Sequence, residues 1–313
     1  MKTYLQVTLL VWLAAQGGIA SAQMELQSYD AKNHDRFYVG ADKAFIGDPY
    51  DWSGVGRVVG DEITRGWATM ISPHYFLSAY HFPPALTDAL RFYETNDPSG
   101  AFEDHAIESS KRIPNTDLWL GKLDTPVTGA AIYPILNLPT HSEYEGLVIY
   151  TFGRSDTTPQ ERNVRLGRNN IDLVAFRSDP DSQGSTGEVL VFGFDYPTGG
   201  VGADESHLQP YDSGGPSFAV LGGSPALVGI HWFIGDDPVV YSADSFVPDY
   251  IAQLNAAMSE LGAGELDEQV TVLVPEPSVL VMLLGLGAGC LAWSIRRRAS
   301  HRRGMNMSQR AGR

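Results

Sequence analysis

The chain has 313 residues, of which 43% are hydrophobic, and a formal net charge of −15 at pH 7. A chain of this length can bury a large core in one or two domains. Its acidity excludes nucleic acid and anionic lipid as partners attracted by charge, because a negative surface repels both. Cys290 is the single cysteine, so no internal disulfide can form.

The first 22 residues have the three parts of a secretory signal peptide. A basic residue precedes a long apolar run, and a small-residue site ends at Ala22. Cleavage between Ala22 and Gln23 is expected to release an exported protein, and a buried N-terminal helix is the alternative. Residues 23–49 are polar and mixed, and they are predicted to form a leader segment of strand or loop.

Short apolar segments separated by turn residues fill residues 50–262. They are rich in Val, Ile, Phe and Tyr, and most are bounded by Gly, Pro, Asp or Asn. The segments are 54–60, 66–80, 131–138, 147–153, 189–196, 217–221 and 225–235. This spacing predicts an all-β domain of antiparallel sheets, arranged as a sandwich or as barrels.

Helical periodicity follows the strands. Between residues 245 and 261, apolar side chains recur at the spacing of one helix face. These side chains are Tyr250, Ile251, Leu254, Ala257, Met258 and Leu261. The pattern predicts a helix that closes the domain, and residues 263–273 are predicted as a linker to the C-terminal segment.

The C-terminal segment, residues 274–313, has three parts in a fixed order. Pro275-Glu276-Pro277 is followed by an apolar run over 279–295, and then by three arginines that begin a basic tail. This order resembles the PEP-CTERM sorting signal of Gram-negative bacteria. The resemblance implies processing by an exosortase, transient insertion of the apolar helix into the inner membrane, and release or attachment at the cell exterior. A plain C-terminal membrane anchor is the alternative.

Three residues that could act together in nucleophilic catalysis lie far apart in the sequence. His81 follows an apolar run, Asp117 stands at the head of an alternating segment, and Ser213 lies in an Asp-Ser-Gly-Gly-Pro turn. A serine hydroxyl is a weak nucleophile, so it needs a base such as a histidine, which an acid then orients. Each residue alone is typical of a structural position, whereas the three in this order favour catalysis.

Four motifs in the same order resemble those of chymotrypsin-like serine proteases, the trypsin-fold family. They are ISPHYFLSAYH (71–81), DLWLGKL (117–123), YDSGGP (211–216) and LVGIHW (227–232). The resemblance implies an all-β fold of two antiparallel six-stranded β-barrels with a C-terminal helix. It also implies a triad in the cleft between the barrels, with Ser213 as nucleophile, His81 as base and Asp117 as the orienting acid.

The resemblance assigns an oxyanion hole to the backbone N–H groups of Tyr211 and Ser213. Such donors stabilise the charge that develops on the substrate carbonyl oxygen. The family usually has glycine at the position of Tyr211, so a tyrosine there is expected to strain or reshape the hole. Phe82 takes the position of a family cysteine. Asp212, which pairs with a new N-terminal amine in activated family members, has no partner that the sequence identifies.

Three further residues are candidates for substrate binding. The GIHW segment resembles glutamyl endopeptidases of the same fold, in which a histidine helps to bind an acidic side chain. His231 is the matching histidine, Trp232 follows it on the strand that lines the cleft, and His207 lies near the predicted pocket floor. Partly protonated imidazoles can bind a carboxylate. The alternative is that His231 is a structural strand residue, in which case any specificity is possible.

These observations predict a secreted, surface-sorted serine endopeptidase. Its expected partners are a protein or peptide substrate and an exosortase-type processing enzyme, and no cofactor, metal or nucleic acid is expected. A protease-fold surface protein without activity, serving a binding role, is the alternative that Tyr211 favours. An esterase is a third interpretation, weakened because Tyr211 breaks a Gly-x-Ser-x-Gly motif.

Overall fold

The structure is a computed structural model that describes residues 23–60, 66–157, 159–179, 183–195, 197, 200–236 and 239–274. The predicted signal peptide (1–22), the motif Pro275-Glu276-Pro277 and the predicted membrane helix (279–295) lie outside these residues. Among the helices that the structure describes, none is long and apolar enough to cross a membrane.

The described part of the chain is all-β and carries a helix of 11 residues near its C-terminal end. Its strands are β1 (Glu25–Leu26), β2 (Val55–Val58), β3 (Trp67–Met70), β4 (Tyr75–Ala79), β5 (Ala89–Tyr93), β6 (Phe102–Arg112), β7 (Leu118–Leu123), β8 (Ile135–Leu136), β9 (Val148–Gly153), β10 (Arg165–Asn170), β11 (Leu173–Asp179), β12 (Ser185–Gly193), β13 (Ser206–His207), β14 (Pro216–Leu221), β15 (Ser224–Gly235), β16 (Tyr241–Phe246) and β17 (Val272–Leu273). Its helices are α1 (Ala31–His34) and α2 (Ile251–Leu261), with 3₁₀ turns at His141–Glu143, Gln160–Arg162 and Val247–Tyr250.

Strands β2 to β7 close into a six-stranded antiparallel barrel in the order β2-β3-β4-β7-β6-β5. All six strands contribute apolar side chains to one cluster, because residues two apart on a strand point to the same face. The cluster comprises Val58, Ala68, Met70, Phe76, Leu90, Phe92, Ile107, Trp119, Leu123 and Val127. One of the two barrels that the sequence predicts is therefore present.

The second half of the chain forms a nine-stranded sheet. Seven strands follow the order β10-β9-β14-β15-β16-β12-β11, while β8 pairs with β15 and β17 pairs with β8. Within the described residues no backbone ladder joins the two ends of this path, so the second closed barrel is not confirmed. Side chains connect β10 to β12 instead. The Asn169 amide on β10 donates to the Gly193 carbonyl at the end of β12 at 2.7 Å, and the Gly193 N–H donates to Asp172, between β10 and β11, at 2.6 Å.

A two-residue turn, Gly222-Gly223, joins β14 to β15. Both glycines have positive φ, 61° and 86°, which is the conformation that a tight hairpin of this length requires. Leu221 and Ser224 are directly opposite on either side of the turn. The turn therefore sets the register between β14, which follows the loop of Ser213, and β15.

Helix α2 packs against β6 and β7 of the barrel. Leu254, Ala257 and Met258 form its buried face, as the periodicity of the sequence predicts. The Tyr75 hydroxyl donates to the Met258 carbonyl at 3.0 Å and fixes the helix to β4. The helix begins later than expected, because residues 247–250 form a 3₁₀ turn first.

The N-terminal segment of the described chain is packed onto the body. β1 pairs with β13, and the Met24 N–H donates to the Arg154 carbonyl at 3.1 Å. Phe37 and Phe45, from the segment predicted as a leader, are buried in the largest core cluster. Residues 23–49 thus contribute to the core of the body.

The C-terminal segment, residues 263–274, is named here the C-terminal strap. It runs back along the body and ends in β17, which pairs in parallel with β8. The Glu268 carboxylate of the strap accepts hydrogen bonds from the Ser72 hydroxyl and from the His74 backbone N–H, the latter at 3.1 Å. His74 Nδ1 also lies 2.5 Å from this carboxylate. The residues predicted as a linker are thus tied to the barrel and to the sheet.

Candidate active site

The pairing of β4 with β7 brings His81 and Asp117 together. β4 ends at Ala79 and β7 begins at Leu118, and these two residues are opposite each other in the antiparallel ladder. The Tyr80 N–H extends the ladder by donating to the Asp117 carbonyl at 2.6 Å. A histidine just after one strand and an aspartate just before the other therefore lie side by side.

Ser213, His81 and Asp117 form one hydrogen-bonded chain. His81 Nδ1 lies 2.7 Å from Asp117 Oδ2, and His81 Nε2 lies 2.8 Å from Ser213 Oγ. The His81 backbone N–H also donates to Asp117 Oδ1 at 3.0 Å. An ionised carboxylate can only accept, so Nδ1 carries the imidazole proton and the Nε2 lone pair faces the serine hydroxyl. The structure thus brings the three predicted residues together.

Asp117 is fully buried, whereas His81 is half-buried. Burial raises the pKa of the Asp117 carboxyl above its ordinary value, and the His81 hydrogen bonds and the Arg112 guanidinium oppose that rise. Arg112 is itself held by the Thr116 carbonyl at 2.9 Å and the Ser185 hydroxyl at 3.0 Å. An ionised Asp117 in this position accepts the Nδ1 hydrogen bond and fixes the orientation of the imidazole.

The loop between β13 and β14 carries Ser213 and is held from inside by Asp212. The Asp212 side chain is fully buried, and it accepts hydrogen bonds from the backbone N–H of Arg154 at 2.7 Å and of Gln209 at 2.8 Å. Burial raises the pKa of Asp212 to about 6, and the two N–H donors and the charges of His231 and Arg154 oppose the rise. Asp212 therefore has partners within the chain, which the sequence does not identify.

Two backbone N–H groups in this loop have no hydrogen-bond partner among the described residues. They belong to Tyr211 and Ser213. The other backbone N–H groups of the loop donate within the protein, and they are those of Leu208, Gln209, Asp212, Gly214 and Gly215. The two that remain are the donors assigned by resemblance to an oxyanion hole.

Tyr211 has a left-handed backbone conformation, with φ 79°. This region favours glycine, because a Cβ there approaches the neighbouring carbonyl. Gly214, with φ 85°, adopts the same region without that cost, and a Cβ at Gly214 would lie 2.6 Å from Ser78 Oγ. The loop therefore uses two left-handed residues around Ser213, and only one of them is glycine.

A pocket of about 260 Å³ opens beside Ser213. Its walls come from the segment before the nucleophile and from the end of β15, and most of them are apolar. The apolar lining residues are Leu208, Pro210, Trp232, Phe233 and Ile234. The register of β15 against β16 shifts between His231 and Phe233, so Trp232 has no partner opposite it. Such a bulge changes the direction of a side chain, and Trp232, one of the predicted substrate-binding residues, lines the pocket.

His231 is not free to bind a substrate carboxylate, because both of its ring nitrogens have partners within the protein. It is buried, with Nδ1 at 2.7 Å from Asp244 Oδ1 and Nε2 at 2.7 Å from the Phe152 carbonyl oxygen. Both partners accept, so both ring nitrogens carry protons. Burial, the largest single effect, lowers the pKa of His231, but the Asp244 carboxylate, the Asp212 carboxylate and the Phe152 carbonyl together raise it, and the result is a raised pKa.

His207 is buried on β13, and it is not among the residues that line the pocket. Its Nδ1 lies 3.1 Å from the Ser242 hydroxyl. Burial lowers the pKa of His207, which favours the neutral imidazole. The prediction that His207 and His231 bind an acidic substrate side chain stays a prediction, and this geometry favours the structural alternative.

Two residues that support the site lie outside the motifs used in the sequence analysis. Arg154 reaches Asp212 from the end of β9, and Asp244 pairs with His231 from β16. The available signal for Arg154 is a charged residue directly after an apolar strand segment. No such signal marks Asp244, because a single aspartate in a strand is usually solvated. Within the described ranges, no group of three or more His, Cys, Asp or Glu side chains could hold a metal ion.

Comparison with known proteins identifies the C-terminal segment. The family model of the PEP-CTERM protein-sorting motif matches residues 273–298. The match confirms the sorting signal predicted from Pro275-Glu276-Pro277 and the residues after it. No curated protein matches the chain significantly. The motif indicates export and sorting to the cell envelope of a Gram-negative bacterium, and it implies recognition by an exosortase.

Proposed function

We propose that the protein is a serine endopeptidase with a chymotrypsin-like fold, sorted to the cell surface or released outside the cell. The observation that carries the proposal is the hydrogen-bonded chain from Asp117 through His81 to Ser213, with distances of 2.7 and 2.8 Å. A buried carboxylate, an imidazole and an accessible hydroxyl in this order are the groups that acyl transfer requires. His81 and Asp117 belong to the barrel and Ser213 to the sheet, so the substrate would bind between the two.

The reaction would proceed through an acyl-enzyme. Ser213 Oγ attacks the carbonyl carbon of the scissile peptide bond, and its proton passes to His81 Nε2. Asp117 stabilises the imidazolium through the hydrogen bond at Nδ1. His81 then gives the proton to the leaving amine, the C–N bond breaks, and an ester remains on Ser213. Water, deprotonated by His81, hydrolyses the ester and restores the hydroxyl.

The negative charge on the carbonyl oxygen would be met by the N–H groups of Tyr211 and Ser213. Both groups are unpaired within the described residues, so neither has to break a hydrogen bond during the reaction. Donors already in place act more strongly than water, because they need no reorganisation as charge develops. This arrangement supports an active site more than a passive binding surface.

We assign the pocket beside Ser213 to an apolar side chain on the acyl side of the scissile bond. Its walls bury apolar surface, which stabilises a bound side chain by about 25 cal/mol per Å². An acidic side chain is disfavoured because most of the lining is apolar and His231 is already paired with Asp244. The substrate class that fits is a peptide with a residue such as Phe or Leu at this position.

Reaction with a fluorophosphonate probe tests the proposal. The folded protein should be labelled at Ser213, and Ser213→Ala and His81→Ala should each abolish labelling. Ser142→Ala, at an exposed serine outside the site, is the matched control and should be labelled like the wild type. Peptide p-nitroanilides with Phe, Leu, Glu or Lys before the scissile bond should then be cleaved fastest for Phe and Leu. A folded wild-type protein that is not labelled would contradict the proposal.

The second candidate function is a binding protein that keeps the protease fold without activity. The observation that favours it is Tyr211 at φ 79°, in place of the glycine that this conformation suits. Under this alternative, apolar peptides bind the pocket while the fluorophosphonate does not react. Labelling and peptide binding measured on the same preparation therefore separate the two functions.

A further inference from the structure

The side chain of Tyr211 has no part in the mechanism above, which uses only its N–H group. The ring is nevertheless half-buried and packed on two sides. Its centroid lies 6.0 Å from that of Phe82, with the planes tilted by 47°, and the Arg154 guanidinium carbon lies 5.4 Å from it. Tyr211 thus has a strained backbone conformation, and the contacts of its side chain hold it in place.

Both neighbours of the ring belong to other parts of the site. Phe82 directly follows His81, and their ring centroids are 6.4 Å apart. Arg154 donates its backbone N–H to the buried Asp212 carboxylate, next to Tyr211 in the chain. The Tyr211 ring therefore connects the segment of the base with the support beneath the nucleophile loop.

We propose that the Tyr211 side chain is a positioning residue whose ring, held between Phe82 and Arg154, locks the nucleophile loop in its left-handed conformation. In this conformation the N–H groups of Tyr211 and Ser213 have no partner among the described residues and are available to an oxyanion. The inference rests on the proposed function, because the lock matters to the reaction only if an oxyanion forms there.

The physical argument compares tyrosine with glycine at this position. Glycine adopts the left-handed conformation without strain, but it also adopts many others at little cost. Tyrosine keeps the conformation only while attractive ring contacts offset the strain. Aromatic pairs and cation–π contacts supply such attraction in partly buried positions. Removal of the ring is therefore expected to release strain and, at the same time, to loosen the hole.

Tyr211→Gly and Tyr211→Phe separate the ring from the backbone effect. Labelling at several fluorophosphonate concentrations gives the first-order rate of reaction and the probe dissociation constant separately. For Tyr211→Gly we expect the first-order rate to fall about 10-fold or more, the scale of an impaired oxyanion hole, with the dissociation constant little changed. Tyr211→Phe keeps both ring contacts and should react at nearly the wild-type rate. Thermal unfolding should show that the glycine variant is no less stable than the wild type.

Phe82→Leu provides an independent variant, because it removes one wall of the ring and leaves residue 211 unchanged. It should lower the first-order rate in the same way as Tyr211→Gly, and it decides the matter if the glycine variant fails to fold. A wild-type rate in Tyr211→Gly or in Phe82→Leu would overturn the inference. A loss in Tyr211→Phe equal to that in Tyr211→Gly would also overturn it, since the hydroxyl would then be responsible.

The same data distinguish failure of the inference from failure of the proposed function. If the wild-type protein and the glycine variant react equally fast, the positioning role of the Tyr211 ring is overturned, whereas the endopeptidase proposal still stands. A folded wild-type protein that does not react overturns both.

Discussion

The buried pair of His231 and Asp244 supports the nucleophile loop from below. Their side chains are 1% and 0% exposed, and a Cβ at Gly215 would lie 2.8 Å from His231 Cδ2. The imidazole therefore packs directly under the residues that follow Ser213. With protons on both ring nitrogens, the pair is a buried imidazolium with its carboxylate.

His231→Leu is expected to destabilise the protein by about 3–5 kcal/mol, because it leaves the Asp244 carboxylate buried without its partner. The double variant His231→Leu with Asp244→Asn removes the stranded charge and should recover part of that loss. Urea unfolding measures both. Unchanged stability in His231→Leu, with a selective loss of activity on Glu substrates, would instead support the role in acidic specificity.

The stability that His231 contributes should depend on pH with a known sign. Its pKa is raised above the unfolded value of 6.5, so the folded state holds the imidazole proton more tightly. The contribution is complete below pH 6.5 and is lost as the pH rises through the higher folded value. Urea unfolding between pH 6 and 9, with His231→Leu as the reference, should show the wild-type advantage shrinking over this range.

Asp212 gives a second pH effect, in a lower range. Its pKa rises from 3.8 to about 6 on folding, so the native state binds this proton more tightly and the stabilisation is lost as the pH rises through about 6. Relative to Asp212→Asn, the wild-type free energy of unfolding should fall by about 2.5 kcal/mol from pH 4 to pH 7. Urea unfolding at both pH values is the measurement, and a rise over this range would contradict the assignment.

At the residue scale, the sequence is enough to select His81, Asp117 and Ser213 as the candidate catalytic residues, because each lies in a motif and their order matches that of a known family. The partners of His231 and Asp212 could not be predicted in the same way. They are a side chain on another strand and backbone N–H groups, and neither leaves a pattern in the sequence. The left-handed conformation of Tyr211 is indicated only by the resemblance, because the family usually has glycine at this position.

Among the elements, the C-terminal strap has the largest effect on how the domain should be delimited. It joins the sheet through β17 and the barrel through Glu268, which contacts Ser72 and His74 on the β3–β4 turn. The strap pairs as a strand with β8, and its Glu268 carboxylate contacts three groups of the barrel. We therefore expect the strap to unfold together with the rest of the body. A preparation that ends at residue 262 would therefore lack part of the fold.

Glu268→Ala is expected to destabilise the protein by about 1–3 kcal/mol, because the Ser72 hydroxyl and the His74 N–H lose a charged acceptor. Glu265→Ala, at an exposed position of the same strap, is the control and should change stability by less than about 0.5 kcal/mol. Urea unfolding of the two variants compares them directly. Equal effects would show that the strap is held by its backbone alone.

The strands differ in how well the sequence predicts them. β9, β14 and β15 come from apolar runs with turn residues at their ends, so composition alone indicates them. β6 has 11 residues, but only His105 and Ile107 are buried, so most of its side chains are typical of a loop. Its extended conformation comes from pairing with β5 and β7 on both edges. That information belongs to the neighbouring strands and is absent from the segment itself.

For the molecule as a whole, charge is the property that the sequence predicts most directly. Residues 23–295 carry 37 acidic and 14 basic side chains, a net charge of about −23. A field of this sign attracts cationic substrates and repels anionic ones over roughly one Debye length, about 10 Å at 0.1 M salt.

We expect kcat/KM to be several-fold higher for a peptide with flanking lysines than for one with flanking glutamates, when both have Phe before the scissile bond. The ratio should approach one as the salt concentration rises, because screening weakens attraction and repulsion alike. Initial rates at about 0.02 and 0.5 M salt give the comparison. A ratio independent of salt would assign the preference to direct contacts in the cleft.

The overall topology is only partly predictable. The number and spacing of the apolar segments indicate antiparallel sheets, but closure depends on whether the first and last strands of a sheet meet. In the barrel they do, through β2 and β5. In the sheet, the first and last strands are β10 and β11, and no ladder joins them within the described residues. The contacts there come from Asn169 and Asp172, which both bond to Gly193 of β12, and no apolar pattern would mark these two polar residues.

The strap also sets how far the folded body can lie from the sorting motif. β17 ends at Leu273, and only Val274 separates it from Pro275, where the sorting motif begins. Neighbouring Cα atoms are 3.8 Å apart, so these two steps span less than about 8 Å. An enzyme that binds the chain at the motif must therefore lie very close to the folded body. The part of the body that lies nearest to the motif is therefore the sheet edge formed by β8 and β17.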